Sequence, residues 1–365
     1  MNIDIINSIL ISYPYLLGLV SFGIGAFLMP YVIQMAQKKE LIVKPNRRTA
    51  HEGGVPNIGG INIFSSFILA FLLFLPTEVV FQHQVILVGM YFILLVGFFD
   101  DMIEISPVKK LCGEIIAGVL LIVVADVRLT SLYGFFGFWE IPVWISYIMS
   151  FLAYLLIING LNLVDGVDGL ASGLGILICT FFGLYFDFFR GEYYLSMMSF
   201  ALAGALLIFF IYNVFGDKSK IFMGDSGSLV LGYIVYLFIV RFCDMNVPVA
   251  HDPEEFVYVM QAAPVVAMCV LAIPLIDTIR VMIMRIIKKR SPFVADKNHV
   301  HHQLLSIGLK HKEVTFILLF INVFFISMGL LFRNFKAENA LAIIIVCAIA
   351  LVIFLKKIVD RFKKD

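Results

Sequence analysis

Four short stretches of this sequence carry acids and histidines at spacings suited to phosphate and metal chemistry. Gly97-Phe98-Phe99-Asp100-Asp101 sets two carboxylates side by side, and their repulsion calls for a metal or another cation. A solvated pair at a helix end is the plainer alternative. Lys109 and Lys110 follow closely enough to pair with these acids or with phosphate. The second stretch runs from Asn159 to Ser172 and holds Asn159, Asn162, Asp165 and Asp168. Asp165 and Asp168 are three apart and would share a face if helical. Glycines beside both let backbone approach a ligand. The loop lacks Lys and Arg, so these acids have no local ion-pair partner; an Asx-rich turn is the bland alternative.

The third stretch is Ile221-Phe222-Met223-Gly224-Asp225-Ser226-Gly227-Ser228, running into an apolar segment. A Gly/Ser-rich turn at a helix start offers N–H groups and a positive dipole end to phosphate. Asp225 in such a turn calls for a cation between it and the phosphate, and Mg²⁺ takes one or two carboxylates plus phosphate oxygens in this way. Simple helix capping by Asp225 or Ser226 competes with that reading. Phe222 could stack on a base. The fourth stretch lies in a basic loop, Arg285 to Lys312, and contains His299, His301 and His302. If helical from Asp296, His299 and His302 share a face. With no Cys nearby and hard-metal acids elsewhere, the histidines suit phosphate contact or acid–base work better than zinc. A weaker fifth stretch, Lys44 to Gly60, holds Arg47, Arg48 and His51 before Pro and Gly turns, and could hold a nucleotide phosphate. His83, His251 and His311 are given no role.

Elements rich in apolar residues must position these groups. The chain has 365 residues, 61% hydrophobic and 15% charged, with mean hydropathy +0.98. A soluble domain of this length could not hide so much apolar surface, whereas lipid solvates it. The fold class expected is all-α, a polytopic integral membrane protein forming one domain over residues 1–365. Eleven candidate spans start near Tyr13, Gly59, Val85, Leu111, Val143, Ser172, Ser196, Ser228, Phe256, Val314 and Ala340. The ninth is overlong and contains Pro264 and Pro274, which predicts a bend. The N-terminal run lacks the marks of a cleaved signal and reads as a retained span. With alternating sides, one face collects 22 of the 27 Lys and Arg; the other has Arg128, Arg190, Arg241, Arg333 and Lys336. The basic side is expected to be cytoplasmic, with the N-terminus outside and the C-terminus inside. All four chemical stretches then face the cytoplasm. The five cysteines are scattered and read as small core residues. A net charge of +1 implies no nucleic-acid partner.

Taken together, the stretches resemble the polyprenyl-phosphate N-acetylhexosamine-1-phosphate transferase family, which includes the MraY and the WecA/TagO branches. The resemblance covers Lys44 to Gly308 in order. Asp100 and Asp101 match its Asp-Asp motif; Asn162, Asp165 and Asp168 match its Asn-x-x-Asp-Gly-x-Asp-Gly loop. Asp225 matches the Asp of Phe-Met-Gly-Asp-x-Gly-Ser. The form His-x-His-His at 299–302 is similar to the WecA/TagO branch, where MraY proteins carry three consecutive His. Glu114 departs from the Gln expected after Lys110.

The resemblance implies an enzyme of the cell (inner) membrane that joins a UDP-N-acetylhexosamine, GlcNAc first, to polyprenyl phosphate and releases UMP. It implies Mg²⁺, with Mn²⁺ as a substitute, on Asp225 and Asp165. Asp100, Asp101, Asp165, Asp168, His299, His301 and His302 form the catalytic set. Arg47, Arg48, His51, Lys110, Asn159, Asn162, Asn213, Phe222 and Ser226 form the substrate-binding set. The bilayer is a partner, and a homo-oligomer is compatible with the reading. The rival within the family is an MraY-like phospho-MurNAc-pentapeptide transferase. A secondary transporter would place acids mid-span and show repeats, which this chain does not. A CDP-alcohol phosphotransferase would need an Asp-Gly-x-x-Ala-Arg core, also not found.

Overall fold

The computed structural model describes residues 12–38, 42–43, 55–217, 219–247, 259–289 and 299–362. Arg47, Arg48, His51, His251 and Asp296 lie outside them. Most of the described chain is helical. Two-residue strands β1 (Ile42–Val43) and β2 (Val55–Pro56) form an antiparallel ladder at the ends of the first basic loop.

A helix stands at ten of the eleven expected positions; the ninth was expected from Phe256, outside the described residues, and a helix is described there from Ala263. The helices are α1 (Tyr15–Lys38), α2 (Gly59–Phe74), and, after the short α3 (Thr77–Gln82), α4 (Gln84–Ile103). Next come α5 (Pro107–Gly118), continued as a π-helix over Val119–Val124, α6 (Val143–Val164), α7 (Leu170–Tyr185), α8 (Tyr193–Phe215) and α9 (Gly224–Asp244). The last are α10 (Ala263–Val270) with α11 (Ala272–Ile287), the short α12 (Val300–Leu305), α13 (His311–Leu331) and α14 (Ala337–Phe362). Among the described residues, eight helices are long and apolar enough to cross a membrane, or nine if α10 and α11 count as one span. α2 is shorter, and α5 gains length only through its π turn. Large apolar side chains such as Phe27, Phe320 and Phe354 lie on the outside of the helices, where lipid would solvate them. The chain is a multi-pass membrane protein.

Two compact units divide the described residues. The first comprises the described residues within 1–128 and 150–238. In it α8 packs against α1, α2 and α7. α9 is buried nearly along its whole length, and Tyr154, Tyr233 and Tyr236 meet edge-on in the core.

The second unit comprises the described residues within 129–149 and 239–365. Here α13 packs on α10 and α11, and α14 on α10. The expected bend is present: α10 and α11 meet at 85° across Leu271. Pro274 lacks an N–H and its ring collides with the carbonyl four residues back, so the first helix stops at Val270. Asn322 of α13 repairs the break, its amide donating to Val270 O (3.0 Å) and its oxygen accepting from Ile273 N–H (3.1 Å). An unmade bond at this depth would be costly, which explains a buried Asn in an apolar helix.

Candidate functional site

The first unit gathers four of the expected acids at the start of α9. Asp101, in the last turn of α4, accepts from the backbone N–H of Asp225 (2.8 Å) and Ser226 (2.9 Å) and from the Asn57 amide (2.9 Å). It therefore caps α9 from another helix. This corrects the expectation of free N–H groups there: those two are taken by a carboxylate. Two glycines make the approach fit. A Cβ on Gly97 would stand 2.5 Å from Asp225 O. Gly224 has φ +72°, and a Cβ there would stand 2.5 Å from Asp101 Oδ2.

Asp225 is thereby aimed at three neighbours. Asn162 Nδ2 donates to Oδ1 (2.6 Å) and also to Ser228 Oγ (2.9 Å). Lys110 Nζ donates to Oδ2 and stands 3.2 Å from Asp100 Oδ2. One ammonium thus bridges two neighbouring acids whose charges repel each other. Asp100 also accepts from Ile105 N–H (2.9 Å), which closes its own helix end.

Asp165 and Asp168 sit in the turn between α6 and α7, so the shared face they would have if helical does not form. Asp165 accepts from the Gly224 N–H. Burial, followed by the nearby charges of Asp225, Asp101 and Asp168, pushes its carboxyl well above the usual range. Asp168 does have an ion-pair partner: Lys220, from the loop before α9, donates to it at 2.7 Å. That lysine also lies 5.5 Å above the Phe222 ring.

Two of the expected substrate contacts have partners within the protein, and a third is enclosed. The buried Asn213 accepts from Gly169 N–H and donates to Ile221 O (2.7 Å), clamping the Asp168 turn to the loop before α9. Ser226 is fully buried. Asn159 donates to Glu114 (2.8 Å) and to Leu155 O (3.0 Å). Phe222 stays half-buried. Sequence reasoning missed Lys220 and Asn57, because both pair only across distant parts of the chain.

The second unit holds the histidines. Asp277 of α11 is their centre. His299 Nδ1 lies 3.3 Å and His301 Nδ1 3.2 Å from Asp277 Oδ2. Oδ1 accepts from Val300 N–H (2.8 Å) and Arg280 Nη2 (3.3 Å). The His299 and His301 rings stack with centroids 5.4 Å apart, and His302 tilts against His301 at 4.4 Å. α12 begins only at Val300, with His299 at its cap. The pair sharing a partner is therefore 299 and 301, in place of 299 and 302. Asp277 was legible as an acid inside an apolar run just past Pro274, a signal left unused.

Among the described residues no group of three or more His, Cys, Asp or Glu is arranged as a ready metal cage. The oxygen donors around Asp225 nevertheless suit a hard cation that borrows most of its ligands from phosphate and water.

Fold and site define a multi-pass membrane protein with a carboxylate cluster assembled from separate helix ends. A family model described as glycosyl transferase family 4 matches residues 83–243. An undecaprenyl-phosphate alpha-N-acetylglucosaminyl 1-phosphate transferase of Yersinia pestis is 30% identical over 77% of this chain and 73% of its own. The protein of that description from Pasteurella multocida (strain Pm70) is 32% identical over 87% and 86%. That of Escherichia coli (strain K12) is 27% identical over 86% and 83%. The chain belongs to this family, the polyprenyl-phosphate N-acetylhexosamine-1-phosphate transferases that its motifs resemble.

Proposed function

We propose that this protein transfers GlcNAc-1-phosphate from UDP-GlcNAc to undecaprenyl phosphate, releasing UMP and leaving a lipid-linked diphosphate sugar. The observation that carries the reading is the convergence of Asp100, Asp101, Asn162, Asp165 and Asp225 on one helix start. These come from three separate stretches of sequence. Relatives described as acetylglucosaminyl transferases over most of their length favour it over a pentapeptide transferase or a transporter.

Phosphoryl transfer needs positioning and charge neutralisation more than protein covalency. A bound Mg²⁺ would supply that neutralisation for the diphosphate. Asp225 and Asp165 would hold it, their oxygens being the hard donors it prefers. Asp100 would orient the lipid phosphate or take its proton. Asp101 serves by fixing α9, and Asn162 by fixing Asp225. Asp168 with Lys220 and Phe222 would face the nucleotide. His299, His301 and His302 would contact the diphosphate or the sugar. Eleven spans, the N-terminus outside, the C-terminus inside and a cytoplasmic site complete the proposal; the 22-to-5 division of basic residues supports it.

The test is incubation of purified protein with undecaprenyl phosphate and a panel of UDP-sugars, scoring UMP and lipid product. Turnover with UDP-GlcNAc that ceases in excess EDTA is expected. Full activity in EDTA would remove the metal from the reading, and no product with any UDP-sugar would overturn it.

A further inference from the structure

Glu114 is the departure from the family pattern, and its surroundings give it a task. It is buried, one helical turn beyond Lys110 on α5. Facing it on α6, Asn159 and Asn162 are likewise a turn apart. The two helices are thus tied at two levels. At one, Lys110 and Asn162 grip Asp225 from either side. At the other, Asn159 Nδ2 donates to Glu114 Oε2 (2.8 Å), leaving Oε1 to accept another donor. A buried carboxylate four residues from an ammonium on the same helix is within its reach.

The Lys110 ammonium occupies the position between Asp100 and Asp225. Asp225 Oδ2 is its partner, and Oδ1 is held by Asn162. A divalent cation held by Asp225 would lie close to that ammonium whichever oxygen it took, and like charges at such range repel strongly. Lys110 must therefore move when the cation arrives. Glu114 is the acid placed to receive it.

We propose that Lys110 is a displaceable counter-ion, holding Asp100 and Asp225 together until the divalent cation binds and then passing to Glu114. The inference rests on the metal reading of Asp225. It makes Lys110 a competitor of the cation and Glu114 a positioning residue that relieves the competition. A Gln at 114 would still accept the Asn159 amide, so the brace between helices survives that change while the landing charge does not.

The test is titration of the full-length protein in detergent with Mn²⁺ alone, free ion being read by electron paramagnetic resonance. Lys110→Gln should bind Mn²⁺ about tenfold tighter, a coupling of the size contacting charges show. Glu114→Gln should bind it several-fold more weakly than the parent. In the Lys110→Gln background, Glu114→Gln should change nothing, because the ion it serves is gone. Unaltered affinity in Lys110→Gln, or an effect of Glu114→Gln that persists in the double variant, would overturn the proposal. Should Lys110→Gln not fold, Glu114→Gln decides alone, and parental affinity there overturns it. Asp225→Asn separates the two layers. If it binds Mn²⁺ as the parent does, the metal reading itself fails. If it loses the ion while Lys110→Gln and Glu114→Gln are silent, only the counter-ion proposal fails.

Discussion

The two units each hold a carboxylate centre, and the two centres differ in how their acids are balanced. Around the start of α9, Asp100, Asp101, Asp165 and Asp225 gather with Lys110 as the cation on two of them. Around α11, one carboxylate, Asp277, is met by two histidines, an arginine and a backbone N–H. A centre with surplus anionic oxygen is unfinished until a cation arrives. A centre with one carboxylate among several donors needs no added cation, and its carboxylate serves to hold rings still. The first is built to bind; the second is built to present.

Neutralising the acid at the heart of the first centre should do the most damage. Asp225→Asn keeps the Asn162 contact but loses the charge that Lys110 or a cation requires. A fall in kcat of about 10²–10³-fold or more is expected from losing such preorganised charge, measured as UMP release at saturating substrates. Activity near the parental level would break the contrast between the centres.

At the second centre the corresponding change removes an orienting group. Asp277→Asn should cost about 10- to 100-fold in turnover, the usual loss when an outer carboxylate no longer fixes a functional histidine. The KM for the UDP-sugar should rise as well, because His299 and His301 lose their common anchor. A variant that only unfolds, with normal kinetics in its folded fraction, would make Asp277 a plain structural ion pair.

The bend that carries Asp277 allows a sharper test. Asn322→Leu leaves Val270 O and Ile273 N–H unpaired in an apolar setting, at about 1–3 kcal/mol each. Lower thermal stability in detergent is expected, with a moderate loss of activity and no change in Mn²⁺ affinity. Altered metal binding would show that the break serves the acidic centre too.

How much of this was legible follows the range of each interaction. Helix positions were readable because lipid demands long apolar runs, and the bend because Pro274 acts within four residues of itself. The acids stood out for the same reason, being costly in an apolar chain. Their partners did not. Lys110 to Asp225 spans 115 residues and Lys220 to Asp168 spans 52. Asn213 looked like a ligand contact and is spent on two backbone groups. No local spacing encodes such pairings. Asp101 shows the limit most plainly: its neighbour Asp100 has the same chemistry, and only the packing of α4 against α9 assigns one to Lys110 and the other to the start of α9.

That division between adjacent acids gives the smallest effect and the finest discrimination. In Asp101→Asn the side-chain oxygen can still accept from Asp225 N–H and Asn57. The new amide nitrogen replaces Oδ2, and it faces the Ser226 N–H with a donor where an acceptor stood. One hydrogen bond at the helix start is lost, together with a negative charge favourable to the helix dipole. The expected cost is about 1–2 kcal/mol of stability, seen as a lower unfolding midpoint, with Mn²⁺ affinity falling only slightly. Asp100→Asn should do the reverse, lowering kcat while leaving the midpoint close to the parent, because it removes a charge from the Lys110 pair while its remaining oxygen can still accept from Ile105 N–H. Were the two variants to behave alike in both assays, Asp101 would share the chemistry of Asp100, and its hold on α9 would be incidental to its function.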